Sequence, residues 1–371
     1  MKISKFTTLF FMSLSLMATS CLDDNDGYNS GFTMLATKSK VLYANNTSDS
    51  LYVHGLGPWQ LQPLDDSKWC TMDRTSGDGY VFYSIGMKLQ MNTTGKQRQI
   101  PFTIFDTRHT DTGITFQLKQ MATRGDGSLG NAALVKTIES TDGYTAQIEY
   151  DSKARPVSYV LTGNDGSTDR MTINYDELAG QITVNHNNSV MTGKIDNSYQ
   201  PTQLVGTTDT VAYKEQYYSN GMPISYNYAF NFVASNATKG IQAYSYLLSS
   251  EHHPKGQSLS ADSLHVADSV RYVHQNKIND TKLVEMLALN YGPNDNRCQS
   301  VDVNQLLLGF KECHPMQLLS LFRYTRSTSI VSEAKSVDGN INVTTTLNDD
   351  KSVRMMTVER GVTSVTYTFT Y

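Results

Sequence analysis

The sequence predicts an all-β protein: a β-sandwich followed by a larger antiparallel β-domain with a small helical insertion. Three observations point there. Short runs rich in Val, Ile, Tyr, Phe and Thr recur along the chain, each bounded by Gly, Asp, Asn or Pro. Tyrosine is abundant, at 22 residues, while charged residues make up only 18%, the usage of half-exposed pleated sheets. At the far end Val365, Tyr367, Phe369 and Tyr371 alternate with threonine, the period-two pattern of a strand with one buried face.

The first segment is set apart from this pattern. Lys2 and Lys5 precede an apolar stretch from Thr7 to Met17, and small residues then lead into Cys21. The stretch is too short to span a bilayer, which takes about 20 apolar residues, so residues 1–20 read as a cleaved export signal. Met17-Ala18-Thr19-Ser20-Cys21 resembles a lipobox, which implies lipidation (palmitate among the acyl chains) on Cys21. At about 0.8 kcal/mol per buried methylene, several acyl chains anchor firmly. Residues 21–32 form an acidic tether, Asp23-Asp24-Asn25-Asp26 foremost. Its position after the cysteine resembles the surface-export signal of Bacteroidetes-type lipoproteins, implying an outer-membrane protein facing the cell exterior. The periplasmic face is the alternative. The same acidic run echoes a calcium loop but lacks the closing Glu.

Residues 33–121 hold short strand-like runs, among them Leu51-Tyr52-Val53, Tyr80 to Ile85, Gln99 to Ile104 and Gly113 to Gln120. Several short strands over about 90 residues suit a sandwich. Trp59, Ser67-Lys68-Trp69-Cys70, Thr75-Ser76-Gly77-Asp78-Gly79, Asn92 before Arg98, and the closing Gln120 together resemble a BACON domain. That family is immunoglobulin-like and occurs on gut Bacteroidetes surface proteins beside carbohydrate-active modules, which implies carbohydrate binding as a candidate role. Trp59 is the candidate sugar platform, with core packing the competing reading for it; Trp69 and Cys70 read as core.

Residues 122–131, Ala-Thr-Arg-Gly-Asp-Gly-Ser-Leu-Gly-Asn, have the composition of an open linker. From residue 132 to 371 a second β-rich region follows, opening with strand runs at about ten-residue spacing. Tyr150-Asp151…Arg155 and the partial copy Tyr175-Asp176…Gly180 resemble a degenerate YD-type repeat, which implies successive antiparallel hairpins. Leu283, Met286, Leu287 and Asn290 fall at helical spacing, and Asp302 is placed to cap a helix from Val303 to Phe310, so the helical insertion is expected near 281–322.

Motifs that carry chemistry are sparse. The sequence has no Gly-x-Ser-x-Gly, no Walker loop and no His-Glu-x-x-His. A net charge of −4 provides no basic face for nucleic acid. His252, His253, His265, His274 and His314 cluster in sequence with Cys298 and Cys313, but no zinc spacing fits; no metal and no other cofactor is expected. Cys298 and Cys313 flank the expected helix and are a candidate disulfide, two free thiols being the alternative. Tyr213, Tyr217, Tyr218, Tyr226 and Tyr228 crowd one segment and are candidate ligand-binding residues, against cross-strand packing. The expected function is a non-catalytic binding or structural module at a membrane surface, touching polysaccharide or an outer-membrane protein. The alternative is a polysaccharide hydrolase with an acidic pair in the second region.

Overall fold

A computed structural model describes residues 31–64, 67–217, 226–249, 267–322 and 326–371. Cys21, the export signal, the acidic run and Tyr218 lie outside them. The chain is all-β and divides into two compact units between Arg124 and Gly125.

The first unit contains β1 (Phe32–Thr37), β2 (Ser48–Gly55), β3 (Trp59–Pro63), β4 (Cys70–Met72), β5 (Ser76–Gly77), β6 (Phe82–Leu89), β7 (Arg98–Asp106) and β8 (His109–Gln120). They form two four-stranded sheets, ordered β1-β2-β6-β4 and β5-β3-β7-β8. Alternate residues of each sheet meet in one core: Leu51, Val53, Ile85 and Met87 from the first, Leu61, Ile100, Ile104, Phe116 and Leu118 from the second. The polar residues singled out in the sequence brace one another. Arg98 Nε donates to Gln120 Oε1 at 2.9 Å, and Arg98 lies over the Trp69 ring at 4.6 Å. Gln120 Nε2 donates to the carbonyls of Tyr43 and Asn46, and Asn92 Nδ2 to those of Lys96 and Met121. These bonds satisfy backbone carbonyls that would otherwise be buried unpaired.

The segment expected as an open linker is packed. Thr123, Arg124, Gly125 and Ser128 are buried. The Thr123 carbonyl accepts from Ala44 N, while a side chain on Gly125 would collide with Ser198 at 2.1 Å.

The second unit departs from the expected antiparallel domain by closing on itself. Two short strands, β9 (Ala133–Leu134) and β22 (Cys298–Gln299), pair in parallel. The wall begins with β10 (Thr137–Ser140), β11 (Tyr144–Tyr150), β12 (Pro156–Gly163), β13 (Thr168–Asp176), β14 (Gln181–His186) and β15 (Ser189–Lys194). It continues through β16 (Gln203–Gly206), β17 (Asp209–Tyr217), β18 (Tyr226–Asn236), β19 (Gly240–Ser249), β20 (Ser269–Asn276) and β21 (Thr281–Asp295). It ends with β23 (Ser329–Ser336), β24 (Gly339–Leu347), β25 (Val353–Arg360) and β26 (Thr363–Thr370). Every neighbouring pair is antiparallel, and β26 returns to β10, Ile138 opposite Phe369, closing a 16-stranded barrel. The alternation read at the C-terminus is therefore the strand that seals the wall. The two Tyr-Asp segments touch: Arg155 bonds Asp151 and lies over the Tyr175 ring at 4.3 Å.

The helical insertion is much smaller than expected. Thr281–Asp295 is a strand, paired with β20 from Asn276↔Thr281 to Ser269↔Ala288. Its apolar spacing looked helical because residues 281–286 are exposed or half-exposed on both faces, so the period of two is blurred; cross-strand bonding overrides local spacing. Among the described residues helix is confined to a 3-10 segment, Val303–Leu308, capped by Asp302, and a single α-turn, Pro315–Leu318.

These turns belong to a plug inside the barrel. Phe310 meets Tyr144 of β11 and Tyr367 of β26, Phe322 meets Phe232 of β18, and the Glu312 carbonyl accepts from Tyr244 of β19. One segment touches strands on opposite sides of the closed wall, β26 and β11 on one side and β18 and β19 on the other, which places it within. Leu306, Met316, Leu318 and Phe322 are completely buried there. At roughly 1.5–3 kcal/mol per buried apolar side chain, this filling is a main source of stability. The outer wall is mostly polar: Thr168, Arg170, Thr172 and Asn174 on β13, Thr192 and Lys194 on β15, and Asn340, Asn342 and Thr344 on β24 are all exposed, with Val190, Val205, Ile241, Val284 and Met286 as scattered apolar exceptions.

Candidate functional site

Most residues marked in the sequence have structural posts. Trp59 is 1% exposed, edge-on to Tyr83 at 5.4 Å, and is core rather than platform. Tyr213, Tyr217 and Tyr228 share the inner face of the wall, Tyr217 lying opposite Tyr228 in register at the open end of β17. Tyr213 and Tyr228 point into the barrel. Tyr217 is exposed, with its ring 4.8 Å from Tyr228, and Tyr226 is half-buried, its hydroxyl bonded to Ser269 Oγ at 2.5 Å. Cys298 and Cys313 do not pair. Both are free and buried, Cys298 beside the Tyr371 hydroxyl at 3.3 Å and Cys313 in the plug, where burial pushes its thiol up. The segment between them crosses the barrel rather than looping back, so the two sulfurs have different surroundings. His252, His253 and His265 lie outside the described residues. Among the described residues no cluster of His, Cys, Asp and Glu is suited to a metal.

The structure assembles two sites that the sequence does not announce. The first is the barrel mouth on the rim formed by the tight hairpin turns. Inward positions at the ends of β13, β14, β19 and β20 place Asp169, His186, Gln242 and His274 there, and the plug tip brings Glu312 and His314. His186 Nε2 lies 2.7 Å from Asp169 Oδ1, and its ring is edge-on to His314 at 5.6 Å. Glu312 Oε2 accepts from Tyr272 Oη at 2.5 Å and lies 2.9 Å from His274 Nδ1. Gln242 Nε2 donates to the Glu312 carbonyl at 2.7 Å. Burial alone would raise the Asp169 carboxyl, but the hydrogen bond and charge of His186 outweigh it and hold it below the usual range. Burial, then the His186 charge, drives His314 down to about 3, Asp169 opposing. Burial and the Glu312 carboxylate push the Tyr272 phenol up. The arrangement is two carboxylate–histidine pairs locking the plug tip to the wall, with proton-exchanging groups facing the mouth.

The second is an apolar corner of the first unit. Leu56 is 40% exposed, Tyr80 75%, Val81 44% and Phe82 51%. They are neighbours because Tyr80 N donates to Gly55 O at 2.7 Å and Gly79 packs so closely on Gly57 that a side chain there would meet its Cα at 2.5 Å. Phe82 lies 5.7 Å from Tyr52, ring to ring. Tyr80 has a φ of 61°, the left-handed region that costs a bulky residue, so the backbone holds this ring outward under strain. Alongside, Arg108 bonds the Leu56 carbonyl and Asp106, whose carboxyl it holds down at about 2. The signal available in the sequence was the pair Gly55-Leu56-Gly57 and Gly77-Asp78-Gly79 preceding Tyr80-Val81-Phe82, two glycine turns framing exposed apolar residues.

No family model and no curated protein matches the chain. Several solved structures are similar to it, two of them as follows. A porin-like protein from Bacteroides uniformis ATCC 8492 is 13% identical, with a TM-score of 0.40, covering 64% of this chain and 97% of its own. A Bacteroides ovatus GH5 xyloglucanase, solved with a XXXG heptasaccharide, is 15% identical, with a TM-score of 0.21, covering 36% of this chain and 30% of its own.

Proposed function

We propose that this is a lipid-anchored outer-membrane lipoprotein, displayed on the cell surface, in which a BACON-like unit carries a filled, water-exposed barrel acting as a non-catalytic binding or structural module. The observation behind this reading is the inverted polarity of the barrel. A membrane-spanning barrel turns an apolar band to lipid and a polar interior to water. Here the buried apolar side chains point inward onto the plug, while Thr, Asn, Lys and Arg predominate outside, interrupted by single apolar residues such as Val190, Val205 and Val284 rather than by a continuous band. Such a wall gains nothing from a bilayer, so attachment falls to Cys21. A packed interior also leaves no lumen for conduction, and a plug held by aromatic and carboxylate contacts has the character of a scaffold.

The test takes wild-type and Cys21→Ala chains through acyl labelling and membrane fractionation. The wild type is expected to carry label and sediment with outer membrane, the variant to lose both; a variant that still partitions into detergent micelles removes the anchor. Incubated with a panel of polysaccharides, the protein is expected to release no reducing sugar, and any role in glycan handling should show as retention alone.

One observation favours a second reading, hydrolysis: Asp169 and Glu312, each bonded to a histidine, lie on the same barrel mouth. Sugar release that disappears in both Asp169→Asn and Glu312→Gln would replace the non-catalytic reading with that one.

A further inference from the structure

We propose that the apolar corner formed by Leu56, Tyr80, Val81 and Phe82 is a lipid-contacting surface that seats the first unit on the membrane carrying its anchor. The inference rests on the lipid-anchor reading and adds to it an orientation.

Tether geometry supplies the occupant. From Cys21 to Gly31 the chain has ten residues, a reach of roughly 35 Å at full extension. The described chain begins at this corner: Gly31 O accepts from Leu56 N at 2.7 Å. The acyl chains and the corner are therefore tied to each other by a short strand of polypeptide. An apolar surface so tethered meets lipid at high effective concentration, and weak insertion becomes persistent contact.

Side-chain chemistry fits the same occupant. Tyrosine is favoured at the headgroup level, with its hydroxyl in water and its ring toward the acyl chains, while Leu56, Val81 and Phe82 are purely apolar. The corner is also rigid. Gly57 and Gly79 are in backbone contact, and Tyr80 is fixed by its bond to Gly55, so little ordering entropy opposes insertion. Elsewhere on the first unit Leu64, at the other end of β3, is 56% exposed but stands in sequence between Pro63 and the acidic pair Asp65-Asp66.

The test is quenching by brominated lipid in the full lipidated chain, reconstituted on phosphatidylethanolamine–phosphatidylglycerol vesicles. Tyr80→Trp and Leu64→Trp are compared against the wild-type background from the buried Trp59 and Trp69. Tyr80→Trp keeps an aromatic at the strained position, so folding is preserved. The expected result is at least threefold stronger quenching at position 80 than at position 64. Equal or absent quenching at position 80 in a vesicle-bound, acyl-labelled chain overturns the corner while leaving the anchor intact. Loss of acyl label with position 80 still quenched on vesicles supports the corner without the anchor, and loss of both sinks the two together. Emission at position 80 that shifts with protein concentration in the absence of lipid assigns the corner to self-association and overturns the proposal.

Discussion

His314 shows how one side chain ties plug chemistry to stability. Its Nδ1 accepts the Met316 N–H at 3.2 Å, capping the α-turn, while its ring packs on Phe232 at 5.1 Å and on His186. The cap requires a neutral ring. An unfolded histidine takes up a proton near pH 6.5, whereas His314 in the fold resists until about 3. Across that window the unfolded state binds the extra proton, so folding loses stability as pH falls, by up to about 1.4 kcal/mol per unit. His314→Gln is therefore expected to lower the melting temperature at pH 7 but to flatten its decline between pH 6.5 and 4. Parallel pH profiles for variant and wild type would show that His314 does not set the slope. Tyr80 makes the opposite residue-level case. Left-handed backbone costs a non-glycine residue about 1–2 kcal/mol, so Tyr80→Gly should hold or raise stability in urea by up to about 1 kcal/mol. A loss larger than that would mean the exposed ring packs against something that stabilises it.

At the scale of elements, the plug has no regular structure beyond two short helical segments, yet it supplies the interior of the barrel. Its cohesion comes from burial, with Leu306, Met316, Leu318 and Phe322 all at zero exposure, and from polar groups satisfied in pairs. Asn296 and Gln305 bond both oxygens of the buried Asp302 at 2.8 and 3.1 Å, and Arg326 bonds the Asn296 carbonyl at 2.5 Å. Because the rigid wall can collapse only partly around a lost ring, Phe322→Ala is expected to cost about 3–5 kcal/mol in denaturant unfolding. Val190→Thr, on the outward face of β15 and 53% exposed, should change stability by less than about 0.5 kcal/mol. Similar losses at the two positions would contradict an inside that is packed and an outside that is wet.

The whole molecule repeats this division. A 16-stranded circumference is wide enough to leave an aqueous channel when the lumen is polar, but here the chain spends residues 300–322 filling it. An apolar band about 25 Å tall, the requirement for a spanning barrel, is absent from the described outer wall, where hairpin strands expose Thr, Asn and Lys. Added to planar lipid bilayers, the purified protein is expected to produce no unitary conductance at any voltage. Stable porin-sized steps would require the plug to leave and the wall to reverse its polarity.

The sequence by itself determined the class. Turn residues spaced about ten apart and the alternation from Val365 to Tyr371 mark strands, since side chains alternate faces along an extended backbone; where alternation is blurred, as in Thr281–Asp295, cross-strand bonding decides. Asn92, Arg98 and Gln120 are marked in the sequence only through the BACON resemblance, and their bonds to one another and to buried carbonyls appear only in the folded unit. Closure of the barrel was decided only in three dimensions, because the pairing of Ile138 with Phe369 joins residues more than two hundred positions apart, and no local pattern encodes which strand meets which edge. The same reason hid the mouth. Asp169, His186 and Glu312 share no spacing and are gathered by strand register and by a plug that crosses the barrel. Burial was equally undecidable from composition: Trp59 and Tyr228 are buried while Tyr80 and Tyr217 are exposed, since an aromatic ring serves a core and a surface alike until the opposing sheet is in place.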